Sequence, residues 1–327
     1  MSRPAVSVVI PVYNSESHLA PLVERLAAVM QEHASRFEVI LVEDDGRDSS
    51  WSVIQTLAKK CPYLVGIKLM RNYGQHNALL CGIRNAHYEV IVTLDDDLQN
   101  PPEEIPALLK KLGEGYDVVY GTPREQQHGL LRNIASTATK IALQSVMGAE
   151  TARNVSSFRA FRTQLRDAFA DYRGPHVSID VLLTWGTRRF GSVSVRHDAR
   201  QAGRSNYTFL SLVRHAVNML TGFSTIPLRV ASIIGLIFTA FGGVLLFFIL
   251  GRYLLQGAVV PGFAFLASTI TILSGAQLFA LGVIGEYLAR MHFRLMDKPS
   301  YAVMEYAGSE ALHPEAAHRD KEAFRLS

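Results

Sequence analysis

Three consecutive carboxylates, Asp95, Asp96 and Asp97, directly follow the apolar run 90–94. Such a run is typical of a buried strand, and acids at its end bring negative charge to the edge of a sheet where open α/β sheets bind ligands. Because adjacent like charges repel, a positive group is expected to offset them. A divalent cation that also holds a diphosphate, Mg²⁺ or Mn²⁺, suits these oxygens best. A solvated acidic turn is the alternative, but the prolines at 101–102 fix the loop exit and favour a following helix.

Other predicted strands also end in polar residues. The segments that follow strands one to three are Pro11-Val12-Tyr13-Asn14-Ser15-Glu16, Glu43-Asp44-Asp45-Gly46-Arg47-Asp48 and Arg71-Asn72-Tyr73-Gly74. Parallel strands deliver these side chains to one crevice, with an aromatic ring for a base and carboxylates for ribose hydroxyls and a metal. Neither GxGxxG nor GxxxxGK[ST] follows the first strand, which disfavours a dinucleotide-binding Rossmann fold and a P-loop nucleotidase.

The hydrophobic periodicity predicts an α/β fold with a doubly wound, mainly parallel sheet. Strands are predicted at 6–11, 37–42, 64–69, 89–94 and 117–121, and helices at 18–31, 50–59, 75–85 and 102–112. The two cysteines, Cys61 and Cys81, have a spacing that suits neither zinc nor a redox pair, so we interpret them as reduced thiols.

The second half of the chain contains two long uncharged segments, 230–250 and 253–285. About 20 apolar residues cross a bilayer as a helix, so two spans are predicted, at 230–252 and 263–286. A pair of buried core helices is the alternative. The formal net charge of +4 suits an anionic membrane surface, and no nucleic-acid-binding motif is visible.

Lys and Arg flank the predicted hairpin but are absent from the connection 254–262. The positive-inside rule then places the N-terminal domain and both termini in the cytoplasm. Four regions are predicted: a catalytic domain at 1–206, an amphipathic interfacial helix region at 207–228, a transmembrane hairpin at 229–289 and a C-terminal tail at 290–327. No cleavable signal peptide is predicted.

Basic residues recur beyond residue 121, among them Arg124, Arg132 and Arg159. The segment 200–207 combines Arg200 and Ser205 with glycine just before an apolar helix. Guanidinium groups, a hydroxyl and loop amides together can bind a phosphate. The helix at 207–223 has one apolar face and resembles an interfacial helix, with an ordinary surface helix as the alternative.

These residues resemble those of family 2 inverting glycosyltransferases of the GT-A fold, in the polyprenyl-phosphate branch that includes dolichyl-phosphate mannose synthases and bactoprenol glucosyltransferases. The likeness covers about residues 5 to 305. It rests on the segments Val9-Ile10-Pro11-Val12-Tyr13-Asn14, Arg71-Asn72-Tyr73-Gly74-Gln75-His76, Leu94-Asp95-Asp96-Asp97-Leu98-Gln99-Asn100-Pro101-Pro102-Glu103 and Gly285-Glu286-Tyr287-Leu288. The second and third segments are most similar to transferases of the aminoarabinose type.

The resemblance implies a nucleotide-sugar donor, with UDP-sugar expected over GDP-sugar, and undecaprenyl phosphate as acceptor at the bacterial inner membrane. It also implies a homo-oligomer, expected to be a tetramer. The implied nucleotide-binding residues are Pro11, Tyr13, Asn14, Glu16, Asp44, Arg71, Asp95 and Asp96. The implied catalytic residues are Asp95, Asp97, Gln99 and Arg159, with Asp97 as the metal ligand. The implied acceptor-phosphate residues are Arg124, Arg132, Arg200 and Ser205.

Several positions depart from the family pattern. Ser157 stands where related bactoprenol glucosyltransferases often have an acid before Phe-Arg, and Asn206 replaces the usual Lys. The transferred sugar is therefore open among hexose, N-acetylhexosamine and modified pentose. A processive polysaccharide synthase is a rival prediction, although two spans and the lack of Gln-x-x-Arg-Trp count against it. A catalytically silent membrane scaffold is a second rival.

Overall fold

Alternating strand-like and helix-like periods in the first 123 residues produce alternating strands and helices. The computed structural model describes residues 3–123, 154–174, 177–198, 226–256, 262–296 and 298–308. These residues form two units. One unit contains the described residues up to 198 together with 298–308, and the other contains the two long helices.

The elements of the first unit closely follow the periodicity of the sequence up to residue 123. They are β1 (Ala5–Val12), α1 (Glu16–His33), β2 (Arg36–Glu43), α2 (Ser50–Lys60), β3 (Leu64–Leu69), α3 (Gln75–Arg84), β4 (Val90–Thr93), a 3₁₀ helix (Pro102–Glu104), α4 (Ile105–Leu112) and β5 (Val118–Pro123). The later elements are β6 (Arg159–Arg162), a 3₁₀ helix (Thr163–Phe169), α5 (Ile179–Gly186), β7 (Phe190–Val195) and β8 (Val303–Gly308).

The described strands form one sheet in the order β7-β5-β6-β4-β1-β2-β3-β8. Strands β1 to β4 are parallel where they pair, and β5 pairs in parallel with β7. Strand β6 is antiparallel to β4 and β5, and β8 is antiparallel to β3. The predicted mainly parallel α/β sheet is therefore confirmed.

Helices cover both faces of this sheet, as in a doubly wound fold. Val8 and Ile10 of β1 belong to the apolar core shared with α1, α2 and α4, whereas Val9 belongs to the core shared with α3 and α5. All three side chains are fully buried. Because the central strands are apolar toward both faces, they appear in the sequence as continuous hydrophobic runs.

The segment assigned to a C-terminal tail from 290 onward contains part of the folded unit. Strand β8 pairs with β3, and the main-chain N–H of Met70 donates to the carbonyl of Ala302 at 2.9 Å. Trp51 Nε1 donates to Glu305 Oε2 at 3.1 Å. The added strand covers backbone groups that β3 would otherwise present as an open edge.

The second unit consists of α6 (Ile226–Gln256) and α7 (Phe263–Leu295). Within the described part of the chain, their most apolar windows, Leu228–Leu245 and Ile272–Ala289, are almost entirely unburied. Both helices are long and apolar enough to cross a membrane, as predicted. The predicted interfacial helix at 207–223 lies outside the described residues.

Candidate active site at the carboxyl edge of the sheet

The loops that follow β1, β2 and β4 meet at one edge and turn sharply. Asn14, Asp45 and Leu98 have left-handed backbone conformations, with φ of 55°, 53° and 60°. Gly74, which precedes α3, has φ of 90°, a value that glycine adopts without steric cost. Non-glycine residues in this region are uncommon and cluster at functional sites, because the surrounding contacts must stabilise them.

Asp95 is held through both of its carboxylate oxygens. Gln75, the first residue of α3, donates from Nε2 to Oδ1 at 2.6 Å, and Ser157 donates from Oγ to Oδ2. Burial is the largest influence on its pKa and raises it above the usual range, and the nearby charge of Asp97 acts in the same direction. Asp95, just after β4, is thus connected to α3 through Gln75 and to Ser157, which lies two residues before β6.

Asp96 joins the end of β4 to the loop after β1. Its Oδ2 accepts hydrogen bonds from the main-chain N–H of Tyr13 at 3.1 Å and from Ser15 Oγ at 2.5 Å. Burial raises the pKa of Asp96 to about 6, although these two hydrogen bonds act in the opposite direction. The contact fixes the backbone of Tyr13, whose side chain is 44% exposed.

The loop that continues from the triplet is tied to the residues after β7. Asp97 Oδ1 accepts from the main-chain N–H of Gln99 at 3.2 Å, and the carbonyl of Gln99 accepts from the N–H of Asp198 at 2.8 Å. Asn100 Oδ1 lies 3.2 Å from His197 Nδ1. His197 and Asp198, which precede the predicted phosphate-binding segment at 200–207, are therefore anchored on the acidic loop.

Asp44 faces inward and orders the loop after β3. It is 3% exposed, and its two oxygens accept from the N–H groups of Tyr73 and Gly74, both at 2.7 Å. Burial raises its pKa to about 6. The carboxylate at this strand end that faces solvent belongs to the next residue, Asp45, which the sequence analysis did not select. The doubled Asp-Asp was the available signal, because it offered a second carboxylate at the same strand end.

The remaining predicted nucleotide residues divide into two groups. Tyr13, Asn14 and Arg71 are on the exposed rim, and the guanidinium of Arg71 lies 4.6 Å from the ring centroid of Tyr73. Pro11 is buried within β1. Glu16 joins the starts of α1 and α2, because its Oε2 accepts from the N–H of Ser49 at 2.8 Å. Pro11 thus supports the edge from inside the sheet, whereas Glu16 connects two helix starts at the surface.

Arg159, selected as a catalytic residue, lies inside the protein. It is 1% exposed, pairs with Asp180 and donates from Nε to Thr93 Oγ1 at 3.1 Å. This position is next to the acidic edge but leaves no open face toward a substrate. The selected acceptor residues Arg124, Arg132, Arg200 and Ser205 lie outside the described residues.

No group of three or more His, Cys, Asp or Glu side chains within the described ranges is arranged to hold a metal ion. Asp97, selected as the metal ligand, is half-buried at the edge. A site for Mg²⁺ commonly uses only one or two carboxylates, with substrate phosphates and water as the other ligands. The acidic edge fits that pattern, in which a diphosphate would supply the missing oxygens.

Comparison with known proteins matches residues 7–172 to the family model described as glycosyl transferase family 2. A protein of Shewanella sediminis named undecaprenyl-phosphate 4-deoxy-4-formamido-L-arabinose transferase is 36% identical over 94% of this chain and 93% of its own length. A protein of the same name from Pectobacterium carotovorum is 34% identical over 92% of this chain and 93% of its own.

Among solved structures, glucosyl-3-phosphoglycerate synthase of Mycobacterium tuberculosis, in complex with Mn²⁺, UDP and glucosyl-3-phosphoglycerate, has a similar fold. The TM-score is 0.51 at 16% identity, and the match covers 67% of this chain and 79% of the other. The same enzyme in complex with Mg²⁺ and UDP has a TM-score of 0.50. At this identity the likeness shows the fold alone.

Proposed function

The chain belongs to glycosyl transferase family 2 and is a glycosyltransferase, and we propose that it transfers one sugar from a nucleotide-diphosphate sugar to undecaprenyl phosphate. The relatives that match more than nine tenths of the chain carry names with this acceptor. UDP is the proposed nucleotide. The transferred sugar serves envelope glycan synthesis or lipid A modification. A panel of labelled nucleotide sugars would identify it.

One observation carries the proposal: the exposed side chains of the first strand ends and the acidic triplet share a single edge. Tyr13 supplies an exposed ring for a base, and Asp45 supplies a carboxylate for ribose or base donors. Arg71 supplies a cation near Tyr73. Asp44, Asp95 and Asp96 hold the loops that present these groups.

We propose Asp97 as the protein ligand of Mg²⁺ or Mn²⁺. Bound there with the diphosphate, the cation would neutralise charge on the departing nucleotide. The solved neighbours that contain Mn²⁺ or Mg²⁺ with UDP share this fold. We propose that Gln99, whose main-chain N–H donates to Asp97, orients the sugar from the same loop.

The proposed reaction is direct displacement with inversion at the anomeric carbon. An oxygen of the lipid phosphate forms the new bond as the nucleoside diphosphate leaves with the electrons of the old one. A phosphate monoester has a second pKa near 6, so it is largely dianionic near pH 7 and does not require a dedicated general base. The protein then contributes by positioning and by charge stabilisation.

We propose that Arg124, Arg132, Arg200 and Ser205 hold the acceptor phosphate, as the family resemblance implies. The two apolar helices would confine the enzyme to the bilayer that contains its lipid acceptor. Residues on both sides of these helices belong to one folded unit. If the helices span the bacterial inner membrane, they therefore enter and leave it on the same side, and the basic flanks make that side the cytoplasm. A homotetramer is the expected assembly.

The test uses purified full-length protein with Mg²⁺ or Mn²⁺, undecaprenyl phosphate and a panel of labelled nucleotide sugars. The Asp97→Asn variant is expected to lose about 100-fold or more in turnover, because its charge is lost where charge develops. Asp171→Asn, which alters an exposed acid in another loop, serves as the control. Product that forms without undecaprenyl phosphate and grows into a polymer would support the processive rival. Near-normal turnover of Asp97→Asn would refute its cation role.

A further inference from the structure

A buried cation and its partners adjoin the acidic triplet. Arg159 Nη1 donates to Asp180 Oδ1, and the hydroxyl of Tyr120 donates to the same oxygen at 3.1 Å. The three residues are 1%, 6% and 1% exposed. Burial raises the pKa of Tyr120 well above its usual value, so the hydroxyl stays protonated and continues to donate. We call these three residues the Arg159 cluster.

Hydrogen bonds connect the Arg159 cluster to Asp95 from two directions. Arg159 Nε donates at 3.1 Å to Oγ1 of Thr93, which lies two residues before Asp95. The Thr93 hydroxyl donates in turn to the carbonyl of Ser157 at 2.8 Å. The hydroxyl of Ser157 donates to Asp95 Oδ2. The Arg159 guanidinium thus holds in place both β4, which leads to Asp95, and Ser157, which binds the Asp95 carboxylate.

We propose that Arg159, held by Asp180 and Tyr120, is a positioning residue that fixes the Asp95 carboxylate and the start of the acidic loop in the orientation that transfer from the bound donor requires. This inference rests on the proposed function and deepens it. Arg159 acts through Thr93 and Ser157 and does not contact the substrate. Asp180 and Tyr120 become residues on which turnover depends, although both are remote from solvent.

The energetics of buried ion pairs favour a positioning role over a simple stabilising one. Desolvation of two charges is costly, and apolar replacements of buried pairs are often as stable or more stable. A fully hydrogen-bonded polar network does, however, select one arrangement of its neighbours. The benefit here is a single orientation for Asp95, which a purely apolar contact cannot specify.

Strand β6, which begins at Arg159, provides a matched control at its other end. Arg162 of β6 lies 3.4 Å from Asp117 Oδ1, and Arg189 donates to both oxygens of Asp117 at 2.9 and 3.0 Å. Asp117 is 5% exposed, comparable to Asp180. In the register of β4 and β6, Arg159 lies opposite Thr93, whereas Arg162 lies opposite Val90 at the start of β4. Asp117→Asn therefore tests the loss of a buried acid whose arginine partners lie away from the acidic edge.

The experiment compares Asp180→Asn, Tyr120→Phe, Arg159→Lys and Asp117→Asn in the full-length enzyme. Steady-state kinetics give kcat and the KM for donor and lipid separately, melting temperature monitors folding, and hydrogen–deuterium exchange follows the amides of residues 94–99. We expect Asp180→Asn and Tyr120→Phe to lower kcat about tenfold or more, because small displacements of reacting groups are costly. Their 94–99 amides should exchange faster, and the lipid KM should stay within about twofold. Arg159→Lys, which keeps the charge but loses the fork, should behave likewise.

Asp117→Asn should lower the melting temperature while kcat and exchange at 94–99 stay at wild-type values. The positioning role is overturned if Asp180→Asn and Tyr120→Phe leave exchange at 94–99 unchanged, or if the kinetic effect is confined to the lipid KM. Exchange does not depend on turnover. An inactive wild-type enzyme would therefore count against the proposed function alone, and the exchange data would still decide the positioning role.

Discussion

Carboxylates only one residue apart serve different purposes at this edge because their hydrogen-bond partners differ. Asp44, Asp95 and Asp96 accept from the backbone or side chains of neighbouring loops. Asp45 is exposed at the rim. Much of the negative charge therefore orders the protein itself, and only part of it is presented to a ligand.

The bond between Ser15 and Asp96 is predicted to support donor binding through the backbone of Tyr13. Ser15→Ala removes a 2.5 Å hydrogen bond to a charged group, and such bonds contribute about 1.5–3 kcal/mol. We expect UDP to bind about tenfold more weakly by calorimetry, and the melting temperature to fall by a few degrees because an intramolecular hydrogen bond is lost. Ser300→Ala, which removes a buried 3.2 Å hydrogen bond to Gly174, is the control. Equal UDP affinity in wild type and Ser15→Ala would contradict the prediction.

The buried acid Glu38 makes the stability of the folded protein depend on pH. It is fully buried, and its Oε1 accepts from Ser7 Oγ at 2.6 Å and from the N–H of His87 at 2.7 Å. Burial alone would raise the pKa of Glu38, but these hydrogen bonds and that of the His87 ring outweigh it and lower the pKa. The hydrogen bond to Glu38 raises the pKa of His87, against burial and the charge of Arg166.

The directions of these two pKa shifts define the pH range over which each group stabilises the folded state. The contribution of Glu38 is present above its unfolded pKa of about 4.3 and is lost as pH falls through its lowered folded value. The contribution of protonated His87 is complete below about pH 6.5 and is lost as pH rises through its raised folded value. His87→Gln should therefore lower the melting temperature more at pH 5.5 than at pH 8.5. An equal loss for His87→Gln at both pH values would refute the coupling.

At the scale of elements, the position of α3 depends on a close approach to the sheet. A Cβ added at Gly82 would overlap Cγ1 of Val9 and lie 3.2 Å from Cγ2 of Val42. Both valines are buried strand residues with restricted side-chain rotation. Because α3 begins at Gln75, which binds Asp95, its packing also sets one contact of the acidic edge.

Gly82→Ala is predicted to destabilise the folded unit by about 1–3 kcal/mol, the usual cost of overpacking a core. It should also weaken UDP binding, because a displaced α3 moves Gln75 away from Asp95. The measurements are melting temperature and UDP affinity. Gly235→Ala is the control, since no atom lies within 4 Å of the added carbon. A Gly82→Ala protein with wild-type melting and binding would show that α3 can move without consequence.

The sequence predicted the elements whose periodicity is strong. The strand at Leu64–Leu69 was predicted at its observed bounds, and the helix from Gln75 ends within one residue of its predicted end. Strands β6, β7 and β8 were not predicted. Arg159–Arg162 is only four residues long and has arginine at both ends, and Val303–Gly308 is a mostly exposed edge strand that follows the apolar helices. Neither has the apolar run that identifies a central strand.

The candidate site was predictable only to the level of strand ends. The sequence placed acids at one edge but did not distinguish the inward Asp44 from the outward Asp45, since that depends on local register. It selected Arg159 by its neighbours without indicating its burial. The partner Asp180 lies 21 positions later, and no local pattern connects the two.

At the scale of the whole molecule, the chain leaves the folded unit, forms two apolar helices and returns to complete the sheet with β8. In a membrane enzyme, this order constrains topology independently of charge. If α6 and α7 cross a bilayer as a hairpin, the strands before α6 and β8 after α7 lie on the same side of it, because these strands form one sheet. Any even number of membrane spans satisfies this condition. The described part of the chain contains two candidate spans.

Cysteine labelling tests that topology directly. In a background with Cys61→Ser and Cys81→Ala, single cysteines are introduced as Gln256→Cys, at the end of α6, and Lys298→Cys, just after α7. A membrane-impermeant maleimide should label Gln256→Cys in intact bacterial spheroplasts and Lys298→Cys only in inverted vesicles, because the two positions face opposite compartments. Ser52→Cys, on the exposed side of α2, marks the cytoplasmic side and should follow Lys298→Cys. Labelling of Gln256→Cys and Lys298→Cys from one side would mean that the helices do not cross the bilayer as a hairpin. The lipid acceptor would then have to reach the acidic edge in another way.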